Sequence, residues 1–269
     1  MPPAATPPMP APPERAAVIG VPLAVTDYEQ VLDWMDAMVA AGSRGTVTAA
    51  AVNLLICARD EPATMAAALD ATLAVPDGQP LVWALRLLGH RTATRVYGPD
   101  LMAKWCARAA LGGTTAYLYG GKGDAARALL ARRLTERFPG LRIVGGYSPV
   151  FRALDQPQLT DAERERVVAD IDGSGAQVVW VGTGQPRQEL WMREMRPLLR
   201  APLLVGVGAA FDFHAGLVAQ APAWMGSHGL EWAYRLAREP RRLWRRYLLG
   251  NPRFVAAFAK QYARHRTRE

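Results

Sequence analysis

The sequence predicts an α/β fold in which a parallel sheet is covered by helices on both faces, followed by a helical, basic appendage. The first observation is a regular alternation of short apolar runs and longer helical patterns up to about residue 208. The second is that the apolar runs are continuous, which is typical of strands buried on both faces. The third is a change of composition near residue 231, beyond which arginine and aromatic residues dominate.

The elements follow in a definite order along the chain. One or two short strands are predicted within 16–25. The later strands are predicted at 45–52, 71–75, 114–120, 141–147, 176–184 and 202–208. Helices are predicted at 26–42, 53–69 with a break near Pro62, 76–89 after an initial turn, 124–138, 160–172 and 186–199. The first helix has the clearest ends, because Thr26 or Asp27 suits its N-cap and Gly42 its stop.

The two ends of the chain differ from this central part. Residues 1–16 are rich in proline and lack an apolar stretch, so we expect a disordered leader and not a secretory signal. Residues 17–230 are expected to form the α/β body. Residues 231–269 are expected to form the helical appendage, with breaks near Pro240 and Pro252. No run of about 18 apolar residues occurs, so no membrane-spanning helix is predicted.

The positive charge is concentrated in the appendage. The formal net charge is +8, and eleven of the 32 lysines and arginines, but only two of the 24 acidic residues, lie between 235 and 269. Such a tail predicts an anionic partner: a membrane surface, a nucleic acid or a phosphorylated substrate. The two cysteines, Cys57 and Cys106, form no CxxC pair, which favours a reducing cytoplasm and argues against a structural zinc site.

Two motifs suggest ligands that other features do not support. Gly121, Gly123 and Ala126 follow a predicted strand and fit the dinucleotide pattern G-x-G-x-x-A, so an NAD-dependent oxidoreductase is one hypothesis. The next strand lacks the acidic residue expected at its end, and a nucleotide ribose or phosphate is a better candidate for this turn. Asp170 and Asp172 form a D-x-D pair, which we interpret as a solvated helix end and not as a metal site.

Three further stretches have open interpretations. "VGTGQPRQELWM" (181–192) places a glycine turn before a helix start, which suits either an anion or simple capping. The arginines of 235–246 recur at helical spacing beside an apolar stripe, which suits either an anionic lipid surface or a packed helix with a solvated basic face. Asp77 lies where a predicted strand meets a predicted helix, and it is either a helix cap or a catalytic carboxylate.

Five ordered blocks resemble one known family. They are "PDGQPLVWALRLLG" (76–89), "RVYGPDLM" (95–102), "VGTGQPRQELWM" (181–192), "GVGAAFDFHAG" (206–216) and "APAWMGSHGLEWAYRLAREPRRLWRRY" (221–247). Together they resemble the WecG/TagA/CpsF family of bacterial glycosyltransferases over residues 17–255. The resemblance implies a Rossmann-like body and a C-terminal appendage that reaches the membrane and helps to complete the active site.

The resemblance also implies roles for individual residues. The catalytic base of the family falls on Asp77. The positions that contact substrate fall on Thr48, Arg95, Gln188, Arg235, Arg242 and Arg245. The Thr-x-Asn block of the family is incomplete here, since position 50 is alanine, and Asn53 is the nearest amide that could replace the missing asparagine.

The reaction implied by the resemblance is inverting transfer of a sugar from a UDP-sugar to an undecaprenyl-diphosphate-linked sugar. It implies no metal and no cofactor, a location on the inner face of the plasma membrane, and a product used in cell-surface polysaccharides such as teichoic acid or exopolysaccharide. N-acetylmannosamine, its uronic acid and glucose all remain possible donor sugars. The rival hypotheses are the oxidoreductase and a nucleic-acid-binding protein that uses the basic tail; the resemblance implies no nucleic-acid partner.

Overall fold

The computed structural model describes residues 10–154, 156 and 158–267. Most of the predicted leader, residues 1–9, lies outside the described residues. The first strand already begins at Arg15, so the last two residues assigned to the leader belong to the folded part.

The strands are β1 (Arg15–Val18), β2 (Val21–Ala24), β3 (Gly45–Ala50), β4 (Leu73–Pro76), β5 (Thr115–Gly120), β6 (Arg142–Tyr147), β7 (Val178–Gly182) and β8 (Leu203–Gly206). The helices up to β8 are α1 (Tyr28–Ala40), α2 (Val52–Asp60), α3 (Pro62–Leu69), α4 (Gln79–Leu87), α5 (Gly98–Gly112), α6 (Asp124–Arg137), α7 (Asp161–Ser174) and α8 (Arg187–Met195). After β8 come α9 (Ala210–His214), α10 (Ala223–Ser227), α11 (Glu231–Arg238), α12 (Pro240–Trp244), a π-helical turn (Arg245–Leu249) and α13 (Gly250–Arg266).

The predicted α/β fold is confirmed. Six parallel strands form one sheet in the order β4-β3-β8-β7-β5-β6, and β1 pairs with β2 as a separate antiparallel hairpin. One face of the sheet packs on α1, α5 and α6. The other face packs on α2, α4, α7 and α8. Because all six strands run the same way, their carboxyl ends meet at one edge, where ligands bind in such sheets.

One long helix escaped the sequence analysis. α5 begins with Pro99 in its first turn and ends at Gly113, which has a left-handed φ of 73°. Its buried face repeats at helical spacing through Leu101, Trp105 and Ala109. These start and stop signals were sufficient to predict a helix. The segment was instead interpreted only as part of a motif.

The C-terminal segment is not one continuous helix. α11 ends at Arg238 and α12 begins at Pro240, which agrees with the expected break, whereas Pro252 lies inside the first turn of α13 and does not interrupt the helix. Between them the π-helical turn shifts the helical register. None of the helices in the described part of the chain combines the length and apolarity needed to cross a bilayer.

The last helix, α13, is attached to the N-terminal hairpin. Phe254 is 4% exposed and packs in a core cluster with Val18 and Leu23. The Gln261 side chain accepts a hydrogen bond from the Ile19 backbone N–H at 2.6 Å and donates one to the Ala17 carbonyl at 2.7 Å. The last helix is therefore part of the packed fold.

Candidate active site

Three adjoining cavities open at the carboxyl edge of the sheet. Cavity I, about 290 Å³, lies beside the turns that follow β5 and β7. Cavity II, about 80 Å³, lies beside the end of β4. Cavity III, about 60 Å³, lies between them, sharing Gly184 with cavity I and Asp77 with cavity II. The side chains of Arg235 and Arg246 line all three cavities.

Asp77 lies in the wall between cavities II and III. It follows β4 directly, and its backbone N–H donates to the Ala50 carbonyl at 2.9 Å. The N-cap of α4 is Gly78, and no side chain caps this helix, so Asp77 is not the cap of the helix it precedes. Its Oδ1 instead accepts the N–H of Gly98, at the start of α5, at 2.6 Å.

Position 98 is crowded at this contact, which favours glycine. A Cβ there would lie 3.2 Å from the Ala49 Cβ and 3.3 Å from the Val207 carbonyl oxygen. With glycine at this position, the start of α5 packs closely against the end of the sheet, and the Gly98 N–H donates to Asp77. This contact leaves the second carboxylate oxygen, Oδ2, without a hydrogen bond from any described residue.

The surroundings make Asp77 more basic than a solvated aspartate. Burial is the largest cause and raises its pKa from 3.8 to about 6, and the negative charge of Glu231 acts in the same direction. The positive charges of Arg95 and Arg235 and the Gly98 hydrogen bond act in the opposite direction. A carboxylate with a pKa near 6 is ionised at neutral pH and is still basic enough to accept a proton.

Asp77→Asn is expected to stabilise the protein at pH 8. The folded pKa lies above the ordinary value, so the stabilising contribution of Asp77 is present below about pH 4 and lost as the pH rises through 6. Above pH 6 the buried charge costs about 2–3 kcal/mol, and the neutral amide can still accept the Gly98 N–H. We expect thermal unfolding to show a Tm roughly 4–10 °C higher in the variant at pH 8.

The same pair of proteins at pH 4 provides the control for this prediction. The two Tm values should then converge, because Asp77 of the unchanged protein is protonated in the fold at that pH. A variant that is less stable than the parent at pH 8 would contradict the assignment of a partly buried carboxylate with a raised pKa.

Arg95 is held by three contacts next to Asp77. Its Nε donates to the Asp77 backbone carbonyl at 2.6 Å, and its guanidinium lies over the Tyr97 ring at 4.2 Å. Its Nη2 forms an ion pair with Glu231, at the start of α11. Arg95 lines cavity II, as does Asn53 on α2, so both predicted residues lie in the same cavity as Asp77.

Two half-buried arginines have hydrogen-bond donors without a partner. The Nε atoms of Arg235 and Arg246 are buried and have no hydrogen-bond partner. Burial lowers the pKa of Arg246, and the nearby positive charge of Arg235 lowers it further. Arginine nevertheless stays charged in proteins, so these two like charges favour the binding of an anion, although Asp77 already offsets part of their charge.

The other two predicted arginines, Arg242 and Arg245, differ in their position relative to the cavities. Arg242 lines cavity I, with an ion pair to Glu239 at 2.6 Å. Arg245 is exposed, lies 5.2 Å from the Trp244 ring centroid and lines none of the three cavities. Arg246, which the sequence analysis did not select, faces the cavities instead. The resemblance implies Arg245, but a break before Pro240 and the π-helical turn interrupt a regular helical register through 235–246.

Thr48 and Gln188 meet at a buried carboxyl group. Thr48 Oγ1 donates to Glu189 Oε1 at 2.5 Å, and Gln188 Nε2 donates to the same oxygen at 2.9 Å. Burial raises the pKa of Glu189. The amide nitrogen of Gln188 is used by this hydrogen bond, whereas its Oε1 has no hydrogen-bond partner. Gln188 lines cavity III, and its Oε1 lies next to Gly208. Thr48 itself lies behind the cavities and contacts them only through this pair.

Cavity I combines a glycine-rich floor with a cationic and aromatic wall. Gly121 and Gly123 adopt left-handed φ values of 87° and 91° in the turn that opens α6. Opposite this turn, the Arg187 guanidinium lies 4.1 Å from the Phe151 ring centroid. The Arg187 Nε is buried without a partner. A planar base and a phosphate chain would find an aromatic ring, backbone N–H groups and guanidinium groups here.

The D-x-D pair takes no part in these cavities. Asp170 accepts a hydrogen bond from the Tyr117 hydroxyl, and Asp172 accepts one from the Arg200 backbone N–H at 2.8 Å. Within residues 10–154, 156 and 158–267, no group of three or more His, Cys, Asp or Glu side chains is placed to hold a metal ion. The prediction that the reaction needs no metal stays a prediction.

A parallel sheet with a carboxylate beside half-buried arginines at its carboxyl edge is typical of a Rossmann-like α/β enzyme. A family model described as "Glycosyl transferase WecG/TagA/CpsF family" matches residues 16–268, nearly the whole chain. The chain therefore belongs to this family, as the resemblance predicted. It is a glycosyltransferase of cell-surface polysaccharide synthesis. The family match therefore favours the glycosyltransferase hypothesis over the oxidoreductase and the nucleic-acid-binding protein.

Proposed function

We propose that the protein is an inverting, metal-independent hexosyltransferase that moves a sugar from a UDP-sugar to an undecaprenyl-diphosphate-linked sugar. One observation carries the proposal. Asp77 lines the same cavities, II and III, as Arg235 and Arg246, whose Nε atoms have no hydrogen-bond partner. An inverting transfer needs a base for the acceptor hydroxyl and positive charge for the leaving diphosphate, and these side chains supply both.

Each cavity has a proposed occupant. Cavity I takes the UDP moiety, with the uracil near Phe151 and Arg187 and the diphosphate towards Arg235, Arg242 and Arg246. Cavity III takes the donor sugar, where the free Gln188 Oε1 can accept a hydrogen bond from a sugar hydroxyl or amide. Cavity II takes the acceptor sugar beside Asn53 and Asp77.

The proposed step breaks one bond and forms another. The acceptor hydroxyl attacks C1 of the donor sugar while its proton passes to Asp77 Oδ2. The bond between C1 and the diphosphate oxygen breaks, and the negative charge that develops on this oxygen is stabilised by Arg235 and Arg246. Attack from the side of cavity II, opposite the diphosphate in cavity I, inverts the configuration at C1.

We also propose that residues 231–269 associate with the inner face of the plasma membrane. Trp244, Leu248 and Leu249 are exposed, with relative accessibilities of 42%, 53% and 54%. Arg245 lies among them and faces solvent. Apolar and aromatic side chains beside arginines suit the boundary of an anionic lipid surface. A lipid-linked acceptor would then meet cavity II without leaving the membrane.

The reaction is tested by a screen for UDP release. The purified protein is mixed with UDP-N-acetylmannosamine, its uronic acid or UDP-glucose and a short-chain polyprenyl-diphosphate-GlcNAc or -glucose acceptor. The proposal expects UDP release with at least one pair, dependent on the acceptor and maintained in EDTA. Titration with UDP and NADH provides a control, with UDP expected to bind and NADH not. Binding of NADH without UDP would contradict the donor class.

Phe151→Ala is expected to weaken UDP binding about tenfold, because a lost base–aromatic stack costs roughly 1–3 kcal/mol. The Phe151 ring is 79% exposed, so its removal should not disturb the core. Isothermal titration of UDP measures the effect. Leu111→Ala, at an exposed apolar position outside all three cavities, is the matched control and should bind UDP like the parent. Equal Kd values for the parent and Phe151→Ala would contradict the proposed position of the uracil beside Phe151.

A further inference from the structure

We propose that Glu231 is a positioning residue that holds the Arg95 guanidinium in an ion pair and so keeps it off the Asp77 carboxylate. The inference rests on the proposed function, because it concerns the basicity of the proposed base. Glu231 is the first residue of α11, whereas Asp77 and Arg95 belong to the sheet edge. A residue of the C-terminal segment would thus control the chemistry of a residue in the α/β body.

The contacts of Arg95 carry the argument. Its Nε donates to the Asp77 backbone carbonyl at 2.6 Å, and its positive charge acts on the Asp77 carboxyl group, where it lowers the pKa. Its charge nevertheless pairs with Glu231, and both side chains of this ion pair are largely shielded from solvent. Gly226 makes room for the arrangement, because a Cβ there would lie 2.8 Å from Arg95 Nη1.

An arginine that formed an ion pair with the Asp77 carboxylate would make Asp77 a poor catalytic base. An adjacent Arg–Asp ion pair lowers the carboxyl pKa by roughly one to three units, and it would occupy the oxygen that must accept the proton. Glu231 prevents this in two ways. It supplies Arg95 with another carboxylate, and its own negative charge opposes ionisation of Asp77.

None of the other described groups around Asp77 supplies the negative charge that Glu231 supplies. Tyr97 comes from the segment before α5, Arg235 from α11 and Arg246 from the π-helical turn. The two arginines favour the ionised form of Asp77, and Tyr97 carries no charge at neutral pH. Asn53 on α2 also shares cavity II with Asp77 and is uncharged. Among the described residues around cavities II and III, Glu231 is therefore the negative charge that offsets them.

The experiment compares Glu231→Gln with Glu231→Asp. The Asp77 carboxyl pKa is measured by ¹³C NMR of protein labelled at aspartate, with the signal assigned through Asp77→Asn. The pH profile of kcat is measured in parallel. For Glu231→Gln we expect a carboxyl pKa and an acid limb about one unit lower, and a plateau kcat about three- to tenfold lower. Glu231→Asp keeps the charge, so its pKa should stay within a few tenths of the parent.

A double variant separates this role from a purely structural one. Arg95→Gln combined with Glu231→Gln removes the competing guanidinium as well, so the Asp77 pKa should rise again above that of Glu231→Gln alone. A structural role would predict no such recovery. An unchanged Asp77 pKa in a folded Glu231→Gln protein would overturn the inference, even with Asp77→Asn inactive. Full activity of Asp77→Asn would instead overturn the base role, and the NMR titration would still test the effect of Glu231.

Discussion

Replacing Asp77 by asparagine is expected to reduce kcat for sugar transfer by about 10³-fold while the Kd for UDP stays within about twofold. General base catalysis contributes roughly 10²–10⁴-fold, and asparagine cannot take the proton of the acceptor hydroxyl. The geometry should persist, because the amide oxygen can accept the Gly98 N–H that Asp77 accepts. UDP release under saturating substrates gives kcat, and calorimetric titration gives the affinity.

A second aspartate variant guards against a general loss of activity. Asp70→Asn removes an exposed carboxylate whose partner is Arg193, and Asp70 lines none of the three cavities. It should turn over like the parent. Near-parent kcat in Asp77→Asn would end the assignment of the base. Loss of both kcat and UDP binding would show instead that Asp77 serves the nucleotide, which also contradicts the proposal.

The adjacent residues Arg245 and Arg246 should differ sharply when each is replaced by glutamine. Arg246→Gln is expected to lower kcat by about 10²–10³-fold, because the loss of one preorganised donor to a developing oxyanion has this cost. Arg245→Gln should leave kcat within about twofold with a short-chain acceptor in detergent. The two substitutions are chemically identical and one residue apart, so each is the control for the other.

The structural basis of this contrast is the direction of the two side chains. Arg246 lines cavities I, II and III with an unpartnered Nε, whereas Arg245 lies over Trp244 at the surface. On vesicles containing anionic lipid, Arg245→Gln should bind more weakly than the parent. The reverse kinetic result, with Arg245 essential and Arg246 dispensable, would restore the arginine expected from the sequence and contradict the helical register described here.

Point variants test the C-terminal segment better than a truncation. A chain that ends before residue 231 would lose Phe254 from its core cluster and the two hydrogen bonds of Gln261. Its inactivity would then report unfolding as readily as a missing arginine. Replacing one exposed or cavity-facing arginine leaves these packing contacts in place.

The parallel sheet was predictable because buried strands leave a local pattern of continuous apolar residues. The position of Asp77 followed from the same pattern, since it lies at the end of one such strand. The contact between Arg95 and Glu231 was not predictable, because Glu231 lies 136 positions after Arg95 and only the folding of α11 over the sheet edge brings them together. The orientation of Arg246 towards the cavities was not predictable for a different reason. A π-helical turn of five residues is too short to produce a periodic pattern in the sequence.

Thr48 illustrates a third limit. Its motif points to a substrate contact, yet its hydroxyl donates to Glu189, which lies 141 positions further along the chain. The capping interpretation of 181–192 gives no sign of this contact. The pairing depends on β3 and α8 approaching each other, and neither the spacing nor the composition of either segment encodes that approach.

The attachment of Gln261 to the N-terminal hairpin has a consequence for how the enzyme would sit on a bilayer. Moving α13 away would break two main-chain contacts and expose Phe254, at a cost of about 2–3 kcal/mol for the ring alone. Lipid attraction for the arginine-rich surface would therefore orient the whole molecule as one body. The height of the catalytic cleft above the phospholipid headgroups would then be a fixed dimension of the fold, matched to how far a lipid-borne sugar projects.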